Sequence, residues 1–326
     1  MKFVITGATG LVGRNLVEHI LDNRSGDDEV LATGRNLEML QILEGLGAVT
    51  QTLDLSAEIS EFNVLDNYGG EDAVWFHCAA AVTGASDSSF RDINIGGTEK
   101  LFQKAEELKI RKFILVSSIS VYGLHSTKNL GFTEDQEPNP SGTYGESKLE
   151  QEVLIKSSSL KWLIFRPPYI GGPNDKNVLV EFTKRIKSRK MPLLSKIGYM
   201  GYVDARDLAG MMFKGAQSQI VNETYNIQGI TCTVDNFVDV IGKNLDQEPP
   251  YGKKYPYRLV ITLGYVNDFI AKLRGKSGAR SISVYRIKAL TSNRILDTQK
   301  IFKDLEFKPK YSLDQSVKDW LKTTSP

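Results

Sequence analysis

The chain has 326 residues, of which 41% are hydrophobic and 25% charged, enough for one large globular unit or two coupled ones with a buried core. Its net charge of +2 offers no argument for nucleic acid or a membrane surface as a partner. Two cysteines, Cys78 and Cys232, and three unclustered histidines, His19, His77 and His125, exclude a disulfide framework and a metal centre, so a reducing cytoplasm is expected.

Lys2–Thr6 reads as a short buried strand that starts the fold at once, with no signal peptide visible before it. A helix over Leu11–Asn23 follows, then a strand at Glu29–Thr33, a helix at Asn36–Leu46 stopped by Gly47, and a strand at Val49–Leu53. Ala73–His77 is a fourth strand, Ile93–Leu108 a helix, Lys112–Ser117 a strand, Ser147–Ser157 a helix and Lys161–Arg166 a strand. This alternation predicts an α/β fold with a parallel sheet, helices on both faces and right-handed crossovers. After Pro167 the texture changes. Helices are expected at Val178–Ser188, Ala205–Ala216 and Val234–Leu245, with apolar runs at Gly201–Val203, Thr224–Ile227 and Ser281–Ala289 and a polar linker at Gln247–Pro256. The division expected is a dinucleotide-binding domain over 1–168. Residues 169–326 would be mainly a smaller, interleaved substrate-binding region, with segments of about 201–230 returning to the first sheet. The apolar stretch Leu259–Ile270 is too short to span a bilayer. Over Tyr257–Leu273 the apolar residues recur at near-helical spacing, with Lys272 and Arg274 at the end, which fits a core helix, a lid over an apolar substrate or a helix resting on a membrane surface, with core packing the plain expectation.

The turn Thr6-Gly7-Ala8-Thr9-Gly10-Leu11-Val12-Gly13 joins the first strand to the first helix. Gly7 permits a tight turn, Gly10 close approach of a pyrophosphate, and Gly13 packing of helix on strand. The free N–H groups and positive dipole end of that helix favour phosphate. After the second strand an acid would bind the ribose 2′-hydroxyl of NAD, whereas an arginine accommodates a 2′-phosphate. Here Gly34-Arg35 stands with no acid, so NADP(H) is favoured over NAD(H), with Arg14 in support; the alternative use of Arg35 is as a solvated surface residue. Asp54-Leu55 closes the third strand, where the aspartate either meets an adenine or caps a turn.

Tyr144 and Lys148 lie four residues apart and share one helix face. An ammonium beside a phenol lowers the phenol pKa, which would make Tyr144 an acid/base group near neutrality. In register with them are His77-Cys78-Ala79-Ala80-Ala81, Asn94-Ile95-Gly96-Gly97-Thr98, Val116-Ser117-Ser118, Val121-Tyr122-Gly123 and Arg166-Pro167-Pro168. In order and spacing this set resembles the extended short-chain dehydrogenase/reductase superfamily, clearly over residues 1–230 and again over Leu296–Trp320. The resemblance implies a Rossmann-type doubly wound fold. It implies Tyr144 as acid/base at the substrate oxygen, Lys148 on the nicotinamide ribose, and Ser118 as hydrogen-bond partner of the carbonyl or alkoxide, with Ser117 the neighbour that could be confused with it. Asn94 would order the active-site helix or its water, or be an ordinary helix residue. Ala79, Ala80 and Ala81 would leave room for a flat cofactor, and Pro167, Tyr169 and Ile170 would pass over the nicotinamide. A homodimer through Ile93–Leu108 and Ser147–Ser157 is implied by resemblance alone.

Three activities remain in view for a small-molecule substrate. The first is NADP(H)-preferring interconversion of a secondary alcohol and a ketone, with a tail resembling the 3β-hydroxysteroid dehydrogenase-like branch. The second is a nucleotide-sugar epimerase, dehydratase or 4-ketoreductase with bound NAD, in which Arg166 and Lys184-Arg185-Ile186-Lys187 would meet a diphosphate, the plainer use of that run being a solvated helix face. The third is a dinucleotide sensor without catalysis.

Overall fold

The structure is a computed structural model that describes residues 1–82, 90–124, 131–273 and 283–324. His125, Arg274 and the start of the Ser281–Ala289 run lie outside the described residues. The first half runs β1 (Lys2–Thr6), α1 (Leu11–Asn23), β2 (Glu29–Gly34), α2 (Leu37–Gly45), β3 (Val49–Thr52), β4 (Ala73–His77), α3 (Gly97–Glu107), β5 (Lys112–Val116), α4 (Thr143–Ser157) and β6 (Trp162–Arg166). The second half runs β7 (Tyr169–Gly171), α5 (Val178–Lys187), β8 (Leu193–Leu194), β9 (Tyr199–Asp204), α6 (Ala205–Gln217), β10 (Glu223–Asn226), β11 (Ile230–Thr233) and α7 (Val234–Asn244). It ends with β12 (Lys254–Tyr255), α8 (Tyr257–Leu273), α9 (Val284–Thr291), α10 (Gln299–Leu305) and α11 (Leu313–Thr324).

Seven parallel strands form the central sheet in the order β10-β6-β5-β4-β1-β2-β3. The order reverses between β1 and β4, and the carboxyl ends of strands flanking such a switch point open the crevice where α/β proteins bind ligands. Strands buried on both faces explain the continuous apolar runs: β4 and β5 are buried at every position. One face packs on α1 and α6 through Leu16, Ile20, Leu208 and Phe213, and the other on α3 and α4 through Leu101, Phe102 and Ile155. A third apolar cluster joins α5, α7 and α11 through Leu179, Phe237 and Trp320. Of the stretch 201–230, β10 lies on the edge of the large sheet, whereas β9 pairs with β7 and β11 in a small three-stranded sheet.

Two expectations are corrected and two elements are added. The helix bearing Tyr144 begins at Thr143 rather than Ser147 because Gly142, at φ +124°, turns the chain into it, and Glu146 in its first turn complements the dipole. A helical stretch of 3-10 type at Ile59–Tyr68, without amphipathic spacing, precedes β4. The apolar run after 283 forms helix α9. Core packing of α8 is overturned: Leu259, Leu263, Tyr265, Val266 and Phe269 are each at least half exposed.

Candidate active site

The turn after β1 is shaped by what cannot fit there. Gly7 has φ +70°, and a Cβ on it would sit 2.6 Å from the Ala79 Cα and N. A Cβ on Gly13 would collide with the Gly7 carbonyl, so α1 lies hard against the turn. Gly10, by contrast, is exposed, and a Cβ there would come no nearer than 3.3 Å, to Gly7 O. Gly10 is also the N-cap of α1, with no side-chain cap and no acid in the first turn. The first-turn N–H groups of this helix therefore have no capping side chain, and a positive dipole end stands behind them, which fits a dinucleotide pyrophosphate. Gly7→Ala is expected to destabilise the protein by about 1–3 kcal/mol and weaken dinucleotide binding, read as a lower Tm with a smaller rise on adding NADPH.

Thr9 packs against Gly34, bringing the turn beside the end of β2. Arg35 follows, 64% exposed, with Nη1 3.6 Å from Asp54 Oδ2. Burial pushes the Asp54 carboxyl up, but hydrogen bonds from Ser56 and the Arg35 guanidinium outweigh it and the pKa is lowered. Leu55 is buried against Gly97 and belongs to the core.

Across the crevice, Tyr144 occupies the first turn of α4 and Lys148 the next. Ser118 follows β5. Its Oγ accepts from Ser120 N at 3.1 Å and is hydrogen-bonded to the Tyr144 phenol. Ser117 points the other way, its Oγ donating to Glu152 Oε1 at 2.5 Å. Consecutive residues leaving a strand face opposite sides, and only the fold shows which faces the crevice.

The electrostatics differ from the sequence expectation. Burial pushes the Tyr144 phenol up to about 12, partly offset by the Ser118 hydrogen bond and reinforced by Tyr285. Lys148 does not hold it down: its Nζ donates to Val116 O at 2.9 Å, and its charge falls instead on His77 and Cys78. Burial lowers the Lys148 ammonium to about 8, against the pull of Cys78 and Glu152. Burial and Lys148 lower His77 to about 3, so it is neutral. The Thr98 hydroxyl donates to Asn94 O at 2.6 Å, leaving Thr98 Oγ1 to accept from His77 Nε2 at 2.9 Å and His77 Nδ1 to accept from Thr6 Oγ1 at 2.7 Å. His77 is thus a structural strut between β1, β4 and α3.

Asn94 is fully buried in a wide, π-type turn, Phe90–Gly96, ahead of α3. Its Oδ1 accepts from Ala81 N at 2.7 Å, and its Nδ2 donates to Ala81 O and to Ser147 Oγ, each at 3.1 Å. It fastens the Ala79–Ala81 segment to α4. Pro167 O accepts from Ile119 N at 2.8 Å, tying the segment ahead of Tyr169 and Ile170 on β7 to the turn after Ser118.

Arg166 changes role, and Tyr122 takes a place in the core. Arg166 is 2% exposed and forms two hydrogen bonds to Glu152, so it is not available to a diphosphate. Tyr122, stacked on Phe132, accepts from Arg166 Nη1 and donates to Asn226 Oδ1, which makes it core. Sequence reasoning missed Glu152, whose place one turn after Lys148 was the available signal. It also missed Tyr285, which no spacing connects to Tyr144.

A glycine-cradled dinucleotide turn facing a serine–tyrosine–lysine set on a seven-stranded parallel sheet defines an enzyme of the extended short-chain dehydrogenase/reductase type. The chain belongs to the NAD-dependent epimerase/dehydratase family, whose sequence model matches residues 3–227. It is 25% identical over 268 residues to the sterol-4-alpha-carboxylate 3-dehydrogenase of Candida albicans, covering 75% of each chain. It is 29% identical over 205 residues to the UDP-glucose 4-epimerase of Vibrio cholerae, covering 59% of this chain and 58% of the other. Among solved structures, the dTDP-glucose 4,6-dehydratase of Bacillus anthracis in complex with NAD superposes with a TM-score of 0.77 at 18% identity, covering 99% of this chain and 96% of the other.

Proposed function

We propose that the protein is an NADP(H)-preferring oxidoreductase interconverting a secondary alcohol and a ketone, and that residues 1–168 bind the dinucleotide while 169–326 mainly bind substrate. The observation that carries the chemistry is the hydrogen-bonded Ser118–Tyr144 pair at the carboxyl end of β5, across from the glycine turn. When bound, the nicotinamide supplies or accepts the hydride. Ser118 holds the substrate oxygen by a hydrogen bond, and Tyr144 gives it a proton in reduction or takes one in oxidation. Lys148 would hold the nicotinamide ribose. Gly7, Gly10 and the N–H groups of α1 would hold the pyrophosphate, and Asp54 the adenine. Relatives named as dehydrogenases support this reading, and relatives named as nucleotide-sugar epimerases support the other. The burial of Arg166 removes one support from the second. A homodimer through α3 and α4 belongs to the same proposal.

The test is to denature the purified protein, identify any nucleotide released, and titrate the stripped protein with NADPH and NADH. Empty protein preferring NADPH supports the proposal. Stoichiometric retained NAD would replace it with a closed redox cycle of the epimerase kind. Arg35→Asp is expected to reverse the preference, with NADPH affinity falling by about tenfold or more. Its stability should barely change, because an exposed pair 3.6 Å apart contributes only about 0–1 kcal/mol.

A further inference from the structure

Helix α8 presents apolar side chains to water where the fold offers them nothing to cover. Leu259, Leu263, Val266 and Ile270 follow one another at helical steps of four, three and four, with Tyr265 and Phe269 beside them, and all six are 39–64% exposed. The opposite side of the helix rests on α9. Gly264 is buried there, a Cβ on it would meet Ile287 Cδ1 at 2.8 Å, and Asp268 Oδ2 accepts from Val284 N at 3.0 Å. The apolar face is therefore turned away from its only close helical neighbour among the described residues. An exposed patch of this continuity marks an interaction site.

The charge around it identifies the occupant. Between Pro249 and Leu296 the sequence holds ten lysines and arginines and a single acid, Asp268, an excess of nine; among the described residues Lys253, Lys254 and Arg258 are exposed at the start of α8 and Lys288 stands over the Tyr265 ring, whereas Arg294 is buried. The whole chain is +2, so the remainder is −7 and the modest total conceals a polarised molecule. Lys196 stands over the Tyr257 ring at the start of α8, adding to the same field. A second copy of the chain docked here would set two such positive regions against each other. A surface that is both apolar and anionic suits them. The helix has 17 residues, about 25 Å, and no helix among the described residues is long and apolar enough to cross a membrane.

We propose that α8 lies in the plane of an anionic lipid bilayer, its apolar face among the acyl-chain boundary and the flanking cations against the headgroups. The helix it rests on carries Tyr285, which lies within electrostatic reach of Tyr144, so only α9 stands between α8 and the reacting end of the crevice. A bilayer-resident apolar alcohol or ketone is then the substrate class, a consequence that rests on the redox reading above.

The experiment is co-sedimentation of the full chain with vesicles of phosphatidylcholine, with and without about one third phosphatidylglycerol. Binding to the anionic vesicles is expected, weaker by about tenfold or more on phosphatidylcholine alone. Val266→Asp/Phe269→Asp should weaken it by about tenfold or more with unchanged Tm and dinucleotide affinity. Failure to sediment with anionic vesicles, or binding indifferent to the two aspartates, overturns the proposal. So does a wild-type oligomer that these aspartates dissociate in sedimentation velocity, since a second copy would then cover the face. Docking without turnover of any carbonyl would sink the redox reading and leave the docking intact.

Discussion

Tyr144→Phe is expected to lower kcat for ketone reduction by about 10²–10⁴-fold while leaving dinucleotide affinity unchanged. The phenol is the group hydrogen-bonded to Ser118 on the crevice side of β5, whereas the cofactor cradle is built from other elements. The pH dependence separates Tyr144 from Lys148. With its pKa near 12 the phenol stays protonated across the working range and serves as the acid. Lys148, near 8, loses its charge first. On the proposal that the charged Lys148 holds the nicotinamide ribose, reduction needs both the phenolic proton and that positive charge. Its kcat/KM should be flat through neutrality and fall by about tenfold per pH unit above 8. In Lys148→Met the residual rate should lack that fall. A limb that persists in Lys148→Met would move the assignment elsewhere.

The parts of this site legible in the sequence are those that local rules govern. β1, α1 and β4 stand where apolar runs and the glycine turn put them, because a buried parallel strand and a helix N-terminus each have a short-range signature. The pairing of Ser118 with Tyr144 was legible only through resemblance, since residues 26 positions apart meet by strand order, not by periodicity. Directions of side chains were least legible. The ammonium of Lys148 is on the same helix face as Tyr144, yet it turns to a strand carbonyl whose position depends on how α4 crosses β5. Arg166 reads as a free cation until its acid, 14 residues earlier on another element, is seen to bury it. The exposure of α8 was hidden for a related reason: helical apolar spacing describes a face, not what covers it.

Glu152→Ala is expected to destabilise the protein by about 3–5 kcal/mol, read by chemical denaturation, because it leaves a buried guanidinium without its counter-charge. The Glu152 carboxylate is fully buried. It accepts from Arg166 Nε at 2.8 Å and from Ser117 Oγ. Arg166 continues to Tyr122, Tyr122 to Asn226, and Asn226 Nδ2 to Phe132 O at 2.8 Å. The chain of bonds joins α4, the end of β5, β6 and the edge strand β10. Burial lowers the Arg166 pKa, but Glu152 and Tyr122 outweigh it and raise it, so Arg166 stays charged at any pH where the protein is folded. Replacing both partners, as Glu152→Leu/Arg166→Met, should recover most of the loss, since two desolvated charges are then removed together. A double variant as unstable as the single one would show that the hydroxyls of Ser117 and Tyr122, rather than the ion pair, hold the cluster. The double variant should still reduce ketones more slowly than wild type. Ser117 and Ser118 are adjacent, and anchoring the first to Glu152 aims the second at Tyr144. Stability regained without activity would assign this buried pair to positioning the site as much as to holding the fold.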